Sequence, residues 1–383
     1  MKIGLNALGL KNKTGGVETY IYNMVKSILL NDNQNKYYLF VGKNTEGIFK
    51  DLTFKNLKII VFPINTNNSI LRIITENSLL NFYCLLLGLN ITHHFCNYIP
   101  RIFFTKSIVT IHDLGGFFYH ESYPEYKDMH KYYKYMKKEL AYTLKKAYKI
   151  IAISNFTKSE ILKYYPQINA EKIEVICQSL DTRKNKNFIA QITLEQLEIN
   201  KPYILSISVI RPHKNMTILI DIFNKIKEKY KIPHLLVIAG GIQLKTNDFL
   251  DAINTSPYKQ DIKYLGYVKN DVLPVLYKNA SCFVFPSLYE GFGIPILEAM
   301  EYNIPILSSN CASLPEVGGE SCLYFNPENI FNTVEQLYQI LIDKNIRVTL
   351  IEKQKKQLAM FNWNNIAEKI LKIYKNGILS NEN

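Results

Sequence analysis

Several specialised classes are excluded by what the chain has little of. Its six cysteines, Cys84, Cys96, Cys177, Cys282, Cys311 and Cys322, include no C-x-x-C pair and sit mostly inside apolar runs. That pattern suits buried thiols in a reducing compartment. The seven histidines form no ligand pair at helical spacing, so no metal site is expected. No G-x-G-x-x-G fingerprint follows the first strand, which argues against a nicotinamide dehydrogenase. The longest apolar run, 79–91, is interrupted by Asn81 and Asn90. It is too short to span a bilayer and reads as a buried helix, with an interfacial role second. The opening Met-Lys-Ile-Gly-Leu-Asn reads as a strand and its loop, so no signal peptide is expected.

The chain does have length, apolar content and positive charge. At 383 residues it exceeds what one core usually supports, and 47% apolar residues suffice for two. The formal charge of +13 fits nucleic acid, an anionic membrane surface or a phosphorylated substrate, or reflects lysines that only aid solubility. Short apolar runs alternate with helix-period stretches such as 18–30 and 123–147. The runs 2–6, 37–41, 57–62, 107–112, 150–153 and 173–176 are predicted strands. A polar stretch carrying Lys184, Asn185, Lys186 and Asn187 interrupts the pattern. A second series follows at 203–209, 235–239, 262–265, 282–285 and 304–308, and 347–379 is helical by periodicity. Alternation of this kind implies parallel βαβ units. The expected architecture is α/β, two Rossmann-like doubly wound domains facing across a deep cleft. The expected divisions are an N-terminal domain at 1–180, a linker at 181–202, a second domain at 203–360, and a C-terminal helix at 361–383 returning to the N-terminal domain.

Ligands of such sheets bind beyond the carboxyl ends of the strands. There the segment 283–300 reads Phe-Val-Phe-Pro-Ser-Leu-Tyr-Glu-Gly-Phe-Gly-Ile-Pro-Ile-Leu-Glu-Ala-Met. Gly291 and Gly293 make a turn that lets backbone amides approach a ligand, and Pro295 opens a helix. Glu290 falls in the loop and Glu298 about one turn into the helix. Carboxylates there accept hydrogen bonds from sugar hydroxyls, while the helix start favours phosphate. The plainer roles are a favourable helix-end charge for Glu298 and a solvated Glu290.

This segment resembles the E-x7-E signature of retaining glycosyltransferases of the GT-B fold, in the large family 4 that uses nucleotide-sugar donors. The stretch Asn310-Cys311-Ala312-Ser313-Leu314-Pro315-Glu316-Val317 and the closing Phe361-Asn362-Trp363 are also similar to that family, and the likeness extends over essentially the whole chain. The resemblance implies an acceptor-binding domain at 1–180 and a nucleotide-sugar-binding domain at 203–360, in which Glu298 binds the ribose hydroxyls and Glu290 the transferred sugar. The amides of Gly291, Phe292 and Gly293 would line the sugar pocket.

Arg211-Pro212-His213-Lys214-Asn215 follows the strand at 203–209 and opens a helix at 216–229. Cations at this junction suit a diphosphate. By resemblance Lys214 belongs to the basic pair that neutralises the leaving group, with Arg211 or His213 as its partner and Arg211 favoured. A solvated basic helix start is the alternative, and Ser208 stands near a place where many members have glycine. Gly15 and Gly16 open a helix after the first strand, as in the family's N-terminal glycine loop.

On the acceptor side, His112 and Asp113 match the family's H-D-L element, which puts His112 near sugar and acceptor. Ser154, in Ser-Asn-Phe-Thr-Lys, resembles an S-x-F-x-K segment that could bind substrate, though helix capping is simpler. Gln178-Ser179-Leu180-Asp181 stands where the family has N-G-V-D. Eight lysines with interleaved tyrosines between Tyr123 and Lys149 suit an anionic membrane face or a solvated one. Nucleic acid is disfavoured, since no recognition motif accompanies the charge.

The resemblance implies a metal-independent enzyme that moves a hexose from a nucleotide-sugar to a hydroxyl of a glycan or polyprenyl-diphosphate-linked saccharide, with GDP-mannose favoured over UDP-sugars. Its expected setting is lipopolysaccharide or capsule assembly, in the cytoplasm at the inner face of the cytoplasmic membrane. A sugar-nucleotide epimerase of the same fold and a non-catalytic saccharide-binding protein are the competing readings.

Overall fold

The computed structural model describes residues 1–11, 15–183, 193–243 and 247–379; part of the expected linker, including Lys184 to Asn187, lies outside them. The chain divides into two compact units, Met1–Asp181 with Phe361–Asn383, and Thr182–Met360.

The N-terminal unit is built on seven strands: β1 (Lys2–Asn6), β2 (Lys36–Gly42), β3 (Leu57–Phe62), β4 (Ile91–His94), β5 (Lys106–Ile111), β6 (Lys149–Ala152) and β7 (Ile173–Val175). All pair parallel in the order β3-β2-β1-β4-β5-β6-β7. The C-terminal unit has β8 (Tyr203–Ile207), β9 (Leu235–Ala239), β10 (Ile262–Tyr264), β11 (Cys282–Phe285), β12 (Ile306–Ser309) and β13 (Leu323–Phe325). Their order is β10-β9-β8-β11-β12-β13, again all parallel. Parallel sheets are covered on both faces, which is why β9 and β11 are buried at every position. Ile204, Leu236, Val284 and Leu307 on the strands meet Leu219 and Phe223 of the helix Met216–Tyr230 in the core of the C-terminal unit. In the N-terminal unit, Val109, Ile150 and Leu140 form one cluster and Phe40, Phe62 and Leu80 another.

In each sheet the order reverses direction beside the first strand, between β1 and β4 and between β8 and β11. The chain leaves the two flanking strands in opposite directions there, which opens a crevice at their carboxyl ends. The reversal therefore marks where each unit can hold a ligand.

Two short strands, β4 and β13, were not among the predicted ones. The expected buried helix at 79–91 is corrected. Its first part is the helix Leu79–Leu87, which ends where Gly88 turns left-handed, and Ile91 begins β4. Only one side of that helix is buried, at Leu80, Asn81 and Cys84; Phe82, Leu85 and Leu86 face solvent. The helical tail is two helices, Lys344–Ala359 and Trp363–Leu379. The second packs on the helix Gly16–Asn31 within the N-terminal unit, where Ser27 donates to the Trp363 carbonyl at 2.6 Å and the Trp363 indole donates to the Leu180 carbonyl at 2.7 Å.

Candidate active site

In the C-terminal unit, the loops after β8 and β11 meet at the order reversal. The Lys214 ammonium donates to Glu290 Oε1 at 2.5 Å, and both side chains are largely shielded from solvent. Lys214 also lies 5.9 Å from the centre of the Phe285 ring at the end of β11. The two loops are tied by the His213 carbonyl, which accepts from the Leu288 amide at 2.7 Å and the Ser287 hydroxyl at 3.2 Å. The His213 ring is buried, and burial, reinforced by Lys214 and Arg211, pulls its pKa down to about 2. It is therefore neutral at pH 7. Of the two residues that could accompany Lys214 as a cation, only Arg211 carries charge. Arg211 donates through Nη2 to Gln243 at 2.5 Å, while its Nε is buried with no hydrogen-bond partner among the described residues. A buried unpaired donor costs free energy unless a ligand satisfies it.

Glu290 precedes a turn whose shape depends on Gly293. That residue has φ +113° and begins the helix Ile294–Glu301, and a Cβ there would stand 2.7 Å from Leu314 Cδ2. The fully buried Ser313 hydroxyl holds the turn by bridging the carbonyls of Glu290 (2.9 Å) and Phe292 (2.7 Å). Gly291 adjoins this clamp, and the Phe292 ring is packed inside. Glu298 lies in the helix, half-buried, and accepts a 2.9 Å hydrogen bond from the Tyr277 hydroxyl. Burial, together with the Glu298 charge, raises the Tyr277 pKa well above its ordinary value, so the phenol remains a donor. Tyr277 in turn stacks on Tyr302.

In the N-terminal unit, Gly15 precedes the helix Gly16–Asn31 with φ +57°, and a Cβ at Gly15 or Gly16 would meet nothing within 4 Å. Conformation, and not crowding, explains glycine at Gly15. Asp181 is tied to this helix, accepting from Asn23 at 3.0 Å and Thr19 at 3.5 Å. His112 follows β5 directly and is buried. Its Nε2 lies 2.7 Å from the Phe95 carbonyl, which can only accept, so the proton is on Nε2. Burial lowers its pKa, although the Phe95 hydrogen bond and Asp113 oppose the shift. Asp113 accepts from the Gly115 amide at 2.9 Å, at the start of the helix Gly115–Ser122. Ser154 is fully buried and caps the helix Asn155–Tyr164 by accepting from the Thr157 amide at 3.0 Å.

The structure thus brings Lys214 to Glu290 and keeps Glu298 on a separate partner, Tyr277. Sequence reasoning missed Tyr277 and Gln243, which carry no motif of their own. It also missed a buried network in the N-terminal unit. Asn6, at the end of β1, lies 3.0 Å from His94 Nδ1, at the end of β4. His93 bridges Tyr374 (2.7 Å) and Thr110 (2.8 Å), and Thr110 lies 3.2 Å from the Tyr20 hydroxyl. The Tyr20 ring meets His112 edge-on. Among the described residues no cluster of three His, Cys, Asp or Glu side chains could hold a metal ion.

Residues 14–184 match the model of Glycosyltransferase Family 4, and residues 190–357 match that of Glycosyl transferases group 1. The chain is 29% identical over 279 residues to an O-antigen chain mannosyltransferase B of Escherichia coli, covering 70% of each. Among solved structures it resembles a sucrose-phosphate synthase of Thermosynechococcus elongatus (TM-score 0.76, 17% identity, 99% and 100% of the two chains). It also resembles HepE of Anabaena in complex with UDP and glucose (TM-score 0.73, 15% identity, 98% and 100%). With the two parallel sheets and a group 1 domain behind a family 4 domain, the chain belongs to the GT-B glycosyltransferases.

Proposed function

We infer that the enzyme is a retaining hexosyltransferase that takes mannose from GDP-mannose and passes it to a hydroxyl of a glycan or polyprenyl-diphosphate-linked saccharide in cell-surface polysaccharide assembly. The observation that carries this reading is the 2.5 Å contact between Lys214 and Glu290 across the order reversal of the C-terminal sheet. In a nucleotide-sugar the diphosphate and the sugar are joined directly. A cation for one and a carboxylate for the other must then be neighbours, and these two are. Mannose is favoured by the relative named an O-antigen mannosyltransferase; HepE, with UDP and glucose, represents the UDP-sugar alternative.

The roles follow from charge and placement. Lys214, with Arg211 through its unpartnered Nε, stabilises the negative charge that grows on the departing diphosphate. These two cations supply what a divalent metal supplies elsewhere, so transfer needs no metal. Glu290 orients the sugar hydroxyls, and Glu298, fixed by Tyr277, receives the ribose hydroxyls. The turn at Gly291, Phe292 and Gly293 shapes the sugar subsite. The glycine pair Gly15 and Gly16 contributes to donor binding from the helix start. The scheme uses no covalent nucleophile, and front-side attack retains the configuration. The acceptor falls to the N-terminal unit, with His112 presenting a neutral imidazole, Asp113 and Ser154 setting the adjoining helices, and the enzyme working at the cytoplasmic face of the membrane.

A thermal-shift series with GDP-mannose, UDP-glucose, ADP-glucose and dTDP-glucose tests the donor. GDP-mannose is expected to stabilise most, and NMR of the product is expected to show the donor's anomeric configuration. Stabilisation by none of the four, or an inverted product, overturns the reading.

A further inference from the structure

We propose that the N-terminal unit carries a face that docks in the plane of a bilayer, made by the helices Ser69–Asn77 and Leu79–Leu87 with the loop at 101–104, and that its partner is an anionic lipid surface. The proposal deepens the lipid-linked acceptor reading, on which it rests only for its purpose.

Six side chains define the face: Ile70, Ile74, Phe82, Leu86, Ile102 and Phe104. Each is more than half exposed, from 52% at Ile102 to 70% at Ile70. Isolated exposed apolar residues are ordinary, but concentration of this kind in one stretch of surface marks an interaction site. The stretch Ser69–Leu87 reaches a mean hydropathy of 1.3 over an 18-residue window and by length and composition alone could cross a membrane. Packing forbids that use. Leu80 and Cys84 are locked into the core cluster with Phe40 and Phe62. On the preceding helix, Arg72 pairs with Glu76 at 3.8 Å, and Glu76 accepts from Asn6 at 3.1 Å. One side of the stretch is held against the sheet and the other is apolar and uncovered, which is the arrangement of a helix lying in a membrane interface.

Two asparagines make the face a single surface. Asn77 Oδ1 accepts from the amides of Arg101 (2.6 Å) and Ile102 (3.2 Å), and Asn81 Nδ2 donates to the Ile102 carbonyl at 2.6 Å. These bonds seat the loop against the junction of the two helices, with Ile102 and Phe104 exposed to solvent.

Charge identifies the partner. The same loop is also tied to the helix Lys127–Lys146, where Arg101 donates to Glu139 at 2.6 Å and lies over the Tyr142 ring. Between Tyr133 and Lys146 this helix has five lysines and one glutamate, Glu139. Lys138 and Lys146 are exposed and lie four residues to either side of Tyr142, so they fall on its flank of the helix. The apolar face is thus bordered by a cationic ridge. Hydrocarbon beside cations matches acyl chains beneath anionic headgroups. A symmetric second copy fits less well, since a two-fold contact places each patch on its own kind and draws like-charged ridges together.

Flotation with phosphatidylglycerol–phosphatidylethanolamine vesicles, against phosphatidylcholine vesicles and at two salt concentrations, tests the proposal. The wild-type protein is expected to float with the anionic vesicles. The double variant Phe82→Glu with Leu86→Glu should lose that binding more than tenfold. Lys138→Glu with Lys146→Glu should weaken it severalfold and remove its salt dependence. Melting temperature and the stabilisation by GDP-mannose should be unchanged in both variants, and these report on folding and on the donor reading separately. Wild-type protein that binds neither vesicle, or vesicle binding indifferent to Phe82→Glu with Leu86→Glu, overturns the proposal. So does a wild-type dimer that this double variant converts to monomer without any vesicle binding.

Discussion

Both units wind a parallel sheet in the same order and place a polar pair across the reversal beside the first strand, but the pairs differ in kind. In the C-terminal unit the pair is Lys214 and Glu290, two charges 2.5 Å apart. In the N-terminal unit it is Asn6 and His94, two neutral groups 3.0 Å apart and almost wholly buried. Burial pulls the His94 pKa down to about 3 and that of His93 well below the ordinary imidazole value, and His112 shifts the same way. One crevice therefore carries a charged pair, which suits the diphosphate of the proposed donor. The other is backed by desolvated imidazoles that are hydrogen-bonded within the fold. A shared strand order fixes where each site is and leaves its chemistry to a few side chains.

Lys214→Ala should do the most damage to the charged crevice. Removing a cation aimed at developing charge should lower kcat/KM for transfer about 100- to 1000-fold, with circular dichroism unchanged. A loss of only a few-fold would make the charged pair structural.

Acid should separate the units next. Below the unfolded imidazole value of about 6.5, the unfolded chain takes up protons that folded His94 and His213 refuse. Stability is then lost as pH falls, by about 2 kcal/mol for each such histidine at pH 5. Among the described residues the N-terminal unit has three depressed histidines, His93, His94 and His112, against His213 and His234 in the other. Hydrogen exchange at pH 7 and pH 5 should show the N-terminal sheet losing more protection. Equal loss in both sheets would count against the neutral assignment.

The smallest effect is a control. Ser154→Ala should cost about 1 kcal/mol through its helix cap, read as a lower melting temperature. A much larger drop in transfer rate than in stability would give Ser154 a direct part in the chemistry.

Legibility in the sequence divides along the same line. The loops around Lys214, Glu290 and Glu298 could be read because each lies directly after an apolar run and carries its own glycine and proline punctuation. The strand β4 could not, since Ile-Thr-His-His shows neither alternation nor an apolar run, although all four residues are buried. Its burial is made possible by partners distant in sequence, such as Tyr374, 281 residues from His93. Contacts of that range leave no local signature. The 76-residue separation of Lys214 and Glu290 hid their pairing in the same way, even with both residues singled out. The apolar run at 79–91 had the right composition and the wrong environment, because hydropathy does not say which side of a helix meets the core.

In the proposed scheme Glu298 serves the nucleotide and Glu290 the sugar. Isothermal titration of GDP and GDP-mannose against the wild-type protein, Glu298→Ala and Glu290→Ala tests it most directly. Glu298→Ala should weaken both ligands by a similar factor. Glu290→Ala should weaken GDP-mannose alone and leave GDP as tight or tighter, since Lys214 no longer has a competing carboxylate. Undiminished GDP binding by Glu298→Ala, or equal losses of GDP and GDP-mannose in Glu290→Ala, would contradict it.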